Sequence, residues 1–215
     1  MAGVKRGPAR IALLGDIVES RRTADRQKLH ADIVAVLERV NAQHPVVDPA
    51  VITLGDEFQG VYATLGEALT AAFHIRAGLR PHDVRFGLGR GDIQTLDPAR
   101  GIHDGPAYWA ARDAIVEAET MAGRAALRVT RTIFRSPDDP VALVTAVNAA
   151  LLALDQVLGS LSVVSWRILA GRLDGLTQKQ IAEREGITPS AVSQRVRGDG
   201  IGMGMETMRM LGELP

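Results

Sequence analysis

The chain has no cysteine among its 215 residues. That absence excludes disulfides, thiolate metal sites and cysteine nucleophiles together, and it fits a reducing compartment. Charge surplus is missing too: 25 Lys+Arg balance 25 Asp+Glu, so no bulk attraction to nucleic acid or membrane follows, and such a partner must be met by a local patch. The basic start MAGVKRGPAR is followed only by IALLG before Asp16, too short for the apolar core of a signal peptide. The longest apolar stretch, VALVTAVNAALLALDQVL, is interrupted by Asn148, Asp155 and Gln156 and reads as short of a membrane span. A cytoplasmic protein without membrane contact is expected. What is present is ordinary for a globular protein, 46% hydrophobic and 23% charged residues, with length for one full domain and a small one.

Residues 10–17, RIALLGDI, form an apolar run of the kind buried on both faces of a sheet. Leu29, Ile33, Val36, Leu37 and Val40 recur at helical spacing over 23–43. Two short strands, 50–54 and 59–64, flank a Gly-Asp turn, a helix covers 65–79, and a strand covers 84–96. The order strand, helix, strand, strand, helix, strand predicts an α+β fold with a ferredoxin-like βαββαβ domain, helices on one face of an antiparallel sheet. A loop over 96–106, a helix over 107–122, a short strand at ALRVT (126–130) and a long helix over 141–158 follow. Domain limits are expected at 1–136, 137–159 for a connecting or dimerisation helix, and 160–215 for an all-α module.

Asp16 ends the first strand and Asp56 sits in the hairpin turn, 40 positions on (56 − 16). In this fold both reach one rim. Each Gly-Asp alone is ordinary turn chemistry, but two carboxylates brought together need a cation between them or one takes up a proton. Hard oxygen ligands suit Mg²⁺ or Mn²⁺ completed by substrate phosphates. The loop Ile17, Val18, Glu19 and Ser20 offers backbone N–H groups to a phosphate, and Glu19 and Glu57 are near enough to join. GLGRG at 87–91 opens no helix and fails as a dinucleotide loop, leaving close backbone packing as its reading. Tyr108 and Trp109 can stack on a base, though core packing is the default. His74 on its apolar helix reads as structural, and His103 beside Asp104 is the better site candidate.

Asp16-Ile17 after a strand, Gly55-Asp56 in a hairpin and GPAYWAAR at 105–112 resemble, in order and spacing, the class III nucleotidyl cyclases. GDEF at 55–58 is similar to the GGDEF domains, and the chain with its tail resembles the SatD-like family. The cyclase resemblance covers about residues 9–135. It implies that Asp16 and Asp56 are metal aspartates and that Arg112 stabilises a transition state across a dimer interface. Three departures stand beside it: Tyr108 where that family has asparagine, Ile52 where it has lysine, and Ile102 where it has a purine-selecting aspartate. They imply a changed substrate or binding without turnover.

Thr177 with Gln180 opens a helix as a capping box. Gly186 permits a turn, Thr188 caps again and Pro189 takes the first helical position. Ala182, Gly186, Ile187, Val192 and Val196 fall where a helix-turn-helix needs them, while Glu185 departs from the hydrophobe common there. The segment resembles LuxR-type and sigma region 4 modules, which implies DNA contact by Thr188, Ser190, Ser193, Gln194, Arg195 and Arg197. Residues 160–215 carry seven Lys+Arg and six Asp+Glu, a balance of +1, so a homodimer is expected to reach useful affinity. The expectation is a DNA-binding regulator whose cyclase-like domain binds a nucleotide as signal. An active metal-dependent cyclase and a ligand-free dimerisation scaffold are the alternatives.

Overall fold

The structure, a computed structural model, describes residues 9–97 and 102–215, apart from the side chains of Arg21 and Ile102. The basic segment 1–8 and the middle of the expected 96–106 loop lie outside it.

Strand β1 (Arg10–Ile17) is flanked by β3 (Glu57–Tyr62) and β4 (Val84–Gly91) in a five-stranded sheet ordered β2-β3-β1-β4-β7, where β2 is Asp48–Leu54 and β7 is Thr132–Arg135. The first four strands pair antiparallel, but β7 runs parallel to β4, so the sheet is mixed rather than wholly antiparallel. Pro49 sits in β2, an edge strand, where a missing N–H is tolerated. The chain is α+β.

Alternation along β1 assigns its two faces. Ile11, Leu13 and Ile17 join the core formed with α1 (Arg26–Gln43) and α2 (Leu65–Gly78), whereas Ala12 and Leu14 pack with Ala107, Tyr108, Ala111 and Ile115 of α3 (Pro106–Ala122). Helices therefore cover both faces, not one. The glycines of β4 explain how closely α3 sits: a methyl on Gly87 would lie 2.2 Å from the Ala111 carbonyl oxygen, and one on Gly89 2.1 Å from that of Ala107. Close backbone packing is what GLGRG provides.

Two expected strands are displaced. The run over 84–96 breaks after Gly91 and resumes as β5 (Gln94–Asp97), paired with β6 (Ile102–Asp104). At the break the Asp92 carbonyl turns to accept the Ala107 N–H of α3. ALRVT is a short 3₁₀ turn followed by coil, and the strand forms later at Thr132–Arg135. There Asp155 accepts the N–H groups of Arg131 (2.7 Å) and Thr132 (2.9 Å), which fixes the strand's start from a distant helix.

Helix α4 (Val141–Ser160) packs on β7 and α8, with Val147, Leu151, Leu154, Asp155 and Leu158 buried. Its length and mean hydropathy of 1.9 pass as a membrane span despite its polar residues, against the sequence reading. In this fold Asp155 is buried and ion-paired with Arg76 of α2. Four helices complete the chain: α5 (Val163–Leu173), α6 (Gln178–Glu185), α7 (Pro189–Gly198) and α8 (Ile201–Leu211). One continuous core runs from Ile11 and Leu13 through Leu151 and Trp166 to Val192 and Leu211.

Candidate functional site: the acidic rim and the C-terminal helices

The two acidic turns meet. Gly55, at φ 64°, takes the left-handed place in the two-residue turn between Leu54 and Glu57, which directs Asp56 back toward the end of β1. The Asp56 carboxylate accepts the Ile17 N–H at 3.3 Å. Gly15 makes room beneath, since a methyl there would lie 2.2 Å from the Phe58 ring.

Asp16 is held by a residue that sequence reasoning missed. Arg85, its partner across the β1–β4 ladder, donates to Asp16 Oδ2 at 3.2 Å and also pairs with Glu119 of α3 at 3.2 Å. The signal was the register: an arginine on a central strand has to find an acid opposite it. The other Asp16 oxygen, Oδ1, is buried without a hydrogen-bond partner. Burial pushes the Asp16 carboxyl up to about 6; Arg85 opposes the rise, and Glu119, Asp56 and Glu57 add to it.

The loop after β1 is less available than its sequence suggests. The Ile17 N–H is taken by Asp56, and the Val18 N–H donates to the Asp83 carbonyl at 2.9 Å. Glu19 adopts φ 56°, alone among the described non-glycine residues at positive φ, and Ser20 is buried at the start of a single 3₁₀ turn. The Glu19 and Ser20 N–H groups have no intramolecular partner among the described residues. Arg112 lies near the rim and pairs with Glu57 at 3.5 Å, with its side chain more than half exposed.

Other expected residues lie elsewhere. Tyr108 is 9% exposed within the α3 core and stacks on His103, and burial pushes its phenol up to about 12. His103 bonds to Asp48 at 2.9 Å and lies 3.2 Å from Thr95 Oγ1, a structural tie. Trp109 is exposed and donates to Asp104. Ile52 packs against the core, and the Ile102 side chain lies outside the described residues.

The donor chemistry of the rim fits one small divalent cation: hard carboxylate oxygens, one of them buried and unpaired. Among the described residues no group of three or more His, Cys, Asp or Glu is arranged to hold a metal. Asp16 and Asp56 are the two that meet.

At the C-terminal end the local expectations hold. Thr177 and Gln180 form the capping box, Gly186 is left-handed at φ 66°, and Thr188 caps α7 behind Pro189. Ile181, Ala182 and Val192 are buried, and Ile187 and Val196 pack against them. Glu185, the departure, has a side chain only 4% exposed that binds Arg167 and Arg184; an ion-pair bridge replaces the usual hydrophobe. Ser190, Gln194 and Arg197 are exposed and Ser193 is half-buried. Arg195 instead turns to Asp199 (3.4 Å) and Ser165.

The sheet and its helices define the class, an α+β protein whose solved neighbours include nucleotidyl cyclase domains. A bacterial light-regulated adenylyl cyclase aligns at TM-score 0.44 and 14% identity, over 66% of this chain and 79% of its own. The guanylyl cyclase domain of the RhoGC fusion protein from the aquatic fungus Blastocladiella emersonii aligns at 0.41 and 15%, over 52% and 77%. The guanylate cyclase domain of RhGC from Catenaria anguillulae, solved with GTP, aligns at 0.38 and 18%, over 53% and 75%. At these scores nothing about activity passes from those proteins to this chain. No curated protein matches it in sequence. The chain belongs to the SatD family, whose family model matches residues 10–214.

Proposed function

We propose that the protein is a DNA-binding regulator whose cyclase-like half binds a nucleotide, with a divalent metal, at the Asp16/Asp56 rim. The observation that carries this reading is the buried, unpaired Asp16 Oδ1 beside an Asp56 already drawn to the end of β1. A buried acceptor without a donor calls for a ligand or ion. Asp16 and Asp56 would hold Mg²⁺ or Mn²⁺, which would neutralise phosphate charge when bound. Around it, the Glu19 and Ser20 amides offer donors to a phosphate, and Arg112 supplies a positive charge on release from Glu57.

DNA contact falls to α7, through Thr188, Ser190, Ser193, Gln194 and Arg197; Arg195 serves to fix α7 on α5. A homodimer supplies the second half-site, and its interface includes the exposed Trp109 and Val116 of α3. Signal passes from rim to DNA helices by differential affinity for two arrangements. A chain of contacts supports this: the Val18 N–H binds the Asp83 carbonyl, whose carboxylate binds Arg131 and approaches Arg76. Arg76 binds Asp155 of α4 and, with Arg80, lies over Trp166 of α5.

The test is calorimetric titration of nucleotides with Mn²⁺ into the full chain. Saturable heat that Asp56→Ala abolishes is the expected outcome, and its absence for every nucleotide removes the sensing half. Formation of cyclic product from a triphosphate would make the protein an enzyme instead. For DNA, Arg197→Ala is expected to lower the salt-dependence slope by about 1, and Arg195→Ala to act through stability.

A further inference from the structure

A cavity of about 660 Å³ lies between α2 and the C-terminal helices, apart from the acidic rim. Its walls come from both halves of the chain: Phe73 and His74 of α2, Arg172 and Leu173 at the end of α5, and Met205 and Met208 of α8. A cavity of this size at a junction between structural units suits a small molecule. Two methionines give an apolar wall that adapts its shape.

The charges in the lining decide what kind of molecule fits. Arg209 is flanked by Glu206, at 2.7 and 3.0 Å, and by Glu213, so that cluster has no positive charge to spare. His74 is neutral: burial pushes its pKa down to about 4, the nearby His44 and Arg39 push the same way, and Asp174 only partly opposes them. Arg172 is half-buried and has no side-chain hydrogen bond or ion pair among the described residues. One uncompensated guanidinium therefore sits at the edge of an apolar wall. A guanidinium matches a carboxylate in a two-point fork. A dianion would keep one charge unbalanced beside Glu206 and Glu213.

We propose that this cavity binds a small amphipathic monocarboxylate, its carboxylate on Arg172 and its apolar body against Phe73, Leu173, Met205 and Met208. Because the walls belong to both halves, occupancy stabilises one placement of the C-terminal helices on α2. The site is independent of whether the rim binds a nucleotide.

The experiment is titration of the full chain with octanoate, 1-octanol and inorganic phosphate, followed by calorimetry and by the thermal midpoint. Octanoate is expected to bind once per chain and raise the midpoint, as any ligand of the native state does. Arg172→Gln is expected to weaken octanoate by roughly tenfold or more, leave octanol unchanged, and thereby isolate the charge-assisted contact. Met205→Glu, which places an anion in the apolar wall, is expected to weaken both ligands. Arg124→Gln, at a surface arginine outside the cavity, is the control and retains wild-type affinity. Circular dichroism confirms that each variant is folded. The proposal is overturned by octanoate binding that Arg172→Gln leaves intact, by the absence of saturable octanoate binding, or by phosphate binding as tightly as the carboxylate.

Discussion

Gly89 has no space for a side chain. The carbonyl oxygen of Ala107 and the amide nitrogen of Ala111 stand 2.1 and 2.3 Å from where its first carbon would be, and both are backbone atoms that move only with α3. Gly89→Ala is therefore expected to cost about 1–3 kcal/mol in urea denaturation, as overpacking of a filled core does. His74 makes a different prediction. Its pKa is pushed down from 6.5 to about 4, so the unfolded chain takes up the proton first as pH falls. The stability this contributes is whole above pH 6.5 and lost progressively toward pH 4. The ring is partly solvent-exposed, which screens the effect to about 1–2 kcal/mol. His74→Gln is expected to flatten that part of the stability profile. Single residues were legible where their partners are local, as at Thr177 and Gly186. Arg85 and Glu185 were not, because their meaning lies in a strand register and in Arg167 of another helix.

At the scale of elements, α4 joins the two halves. Asp155 projects from it into the interior, where Arg76 and the first two amides around β7 converge on one carboxylate. Burial pushes its pKa up, and Arg76 with those N–H groups pulls the other way. Removing the acid would strand a buried guanidinium and two amides. Asp155→Ala is expected to cost about 3–5 kcal/mol by chemical denaturation, and to loosen β7 in hydrogen exchange before the rest of the sheet. The same contact explains why β7 was misplaced in sequence. ALRVT has the composition of a strand, but the start of pairing is fixed by a side chain 24 positions after Arg131. The helices α6 and α7 were legible because caps and turn glycines act within a few residues. At the rim the Asp16–Asp56 meeting was legible from strand order, whereas commitment of the Ile17 and Val18 amides depends on side chains and loops elsewhere.

For the whole molecule, the continuous core makes the two halves one structural body. Unfolding is expected as a single transition, with far-ultraviolet circular dichroism coinciding with tryptophan fluorescence, to which Trp166 contributes from the junction. Separate transitions would show that the halves are energetically independent. Length and composition led to an expectation of two units, and the order of elements from β1 to β4 was recoverable, whereas the parallel β7 was not. Their fusion was not, since no local pattern records that Trp166 rests beneath Arg76 and Arg80.

The N-terminus of α2 is closed by the far end of the described chain. Leu65 and Gly66 donate their amides to the carbonyls of Pro215 and Leu214 at 3.3 and 3.0 Å, and Gly66 lacks a side chain where the Gly212 carbonyl presses in. Those acceptors are synthesised 150 positions after Leu65 (215 − 65) and 148 after Gly66 (214 − 66). On a ribosome the sheet half emerges first, with the mouth of α2 still open to water. The first two amides of α2 close only after the C-terminal helices have left the exit tunnel, so a nascent chain stalled before Leu214 displays an open helix mouth that residues 214–215 later conceal.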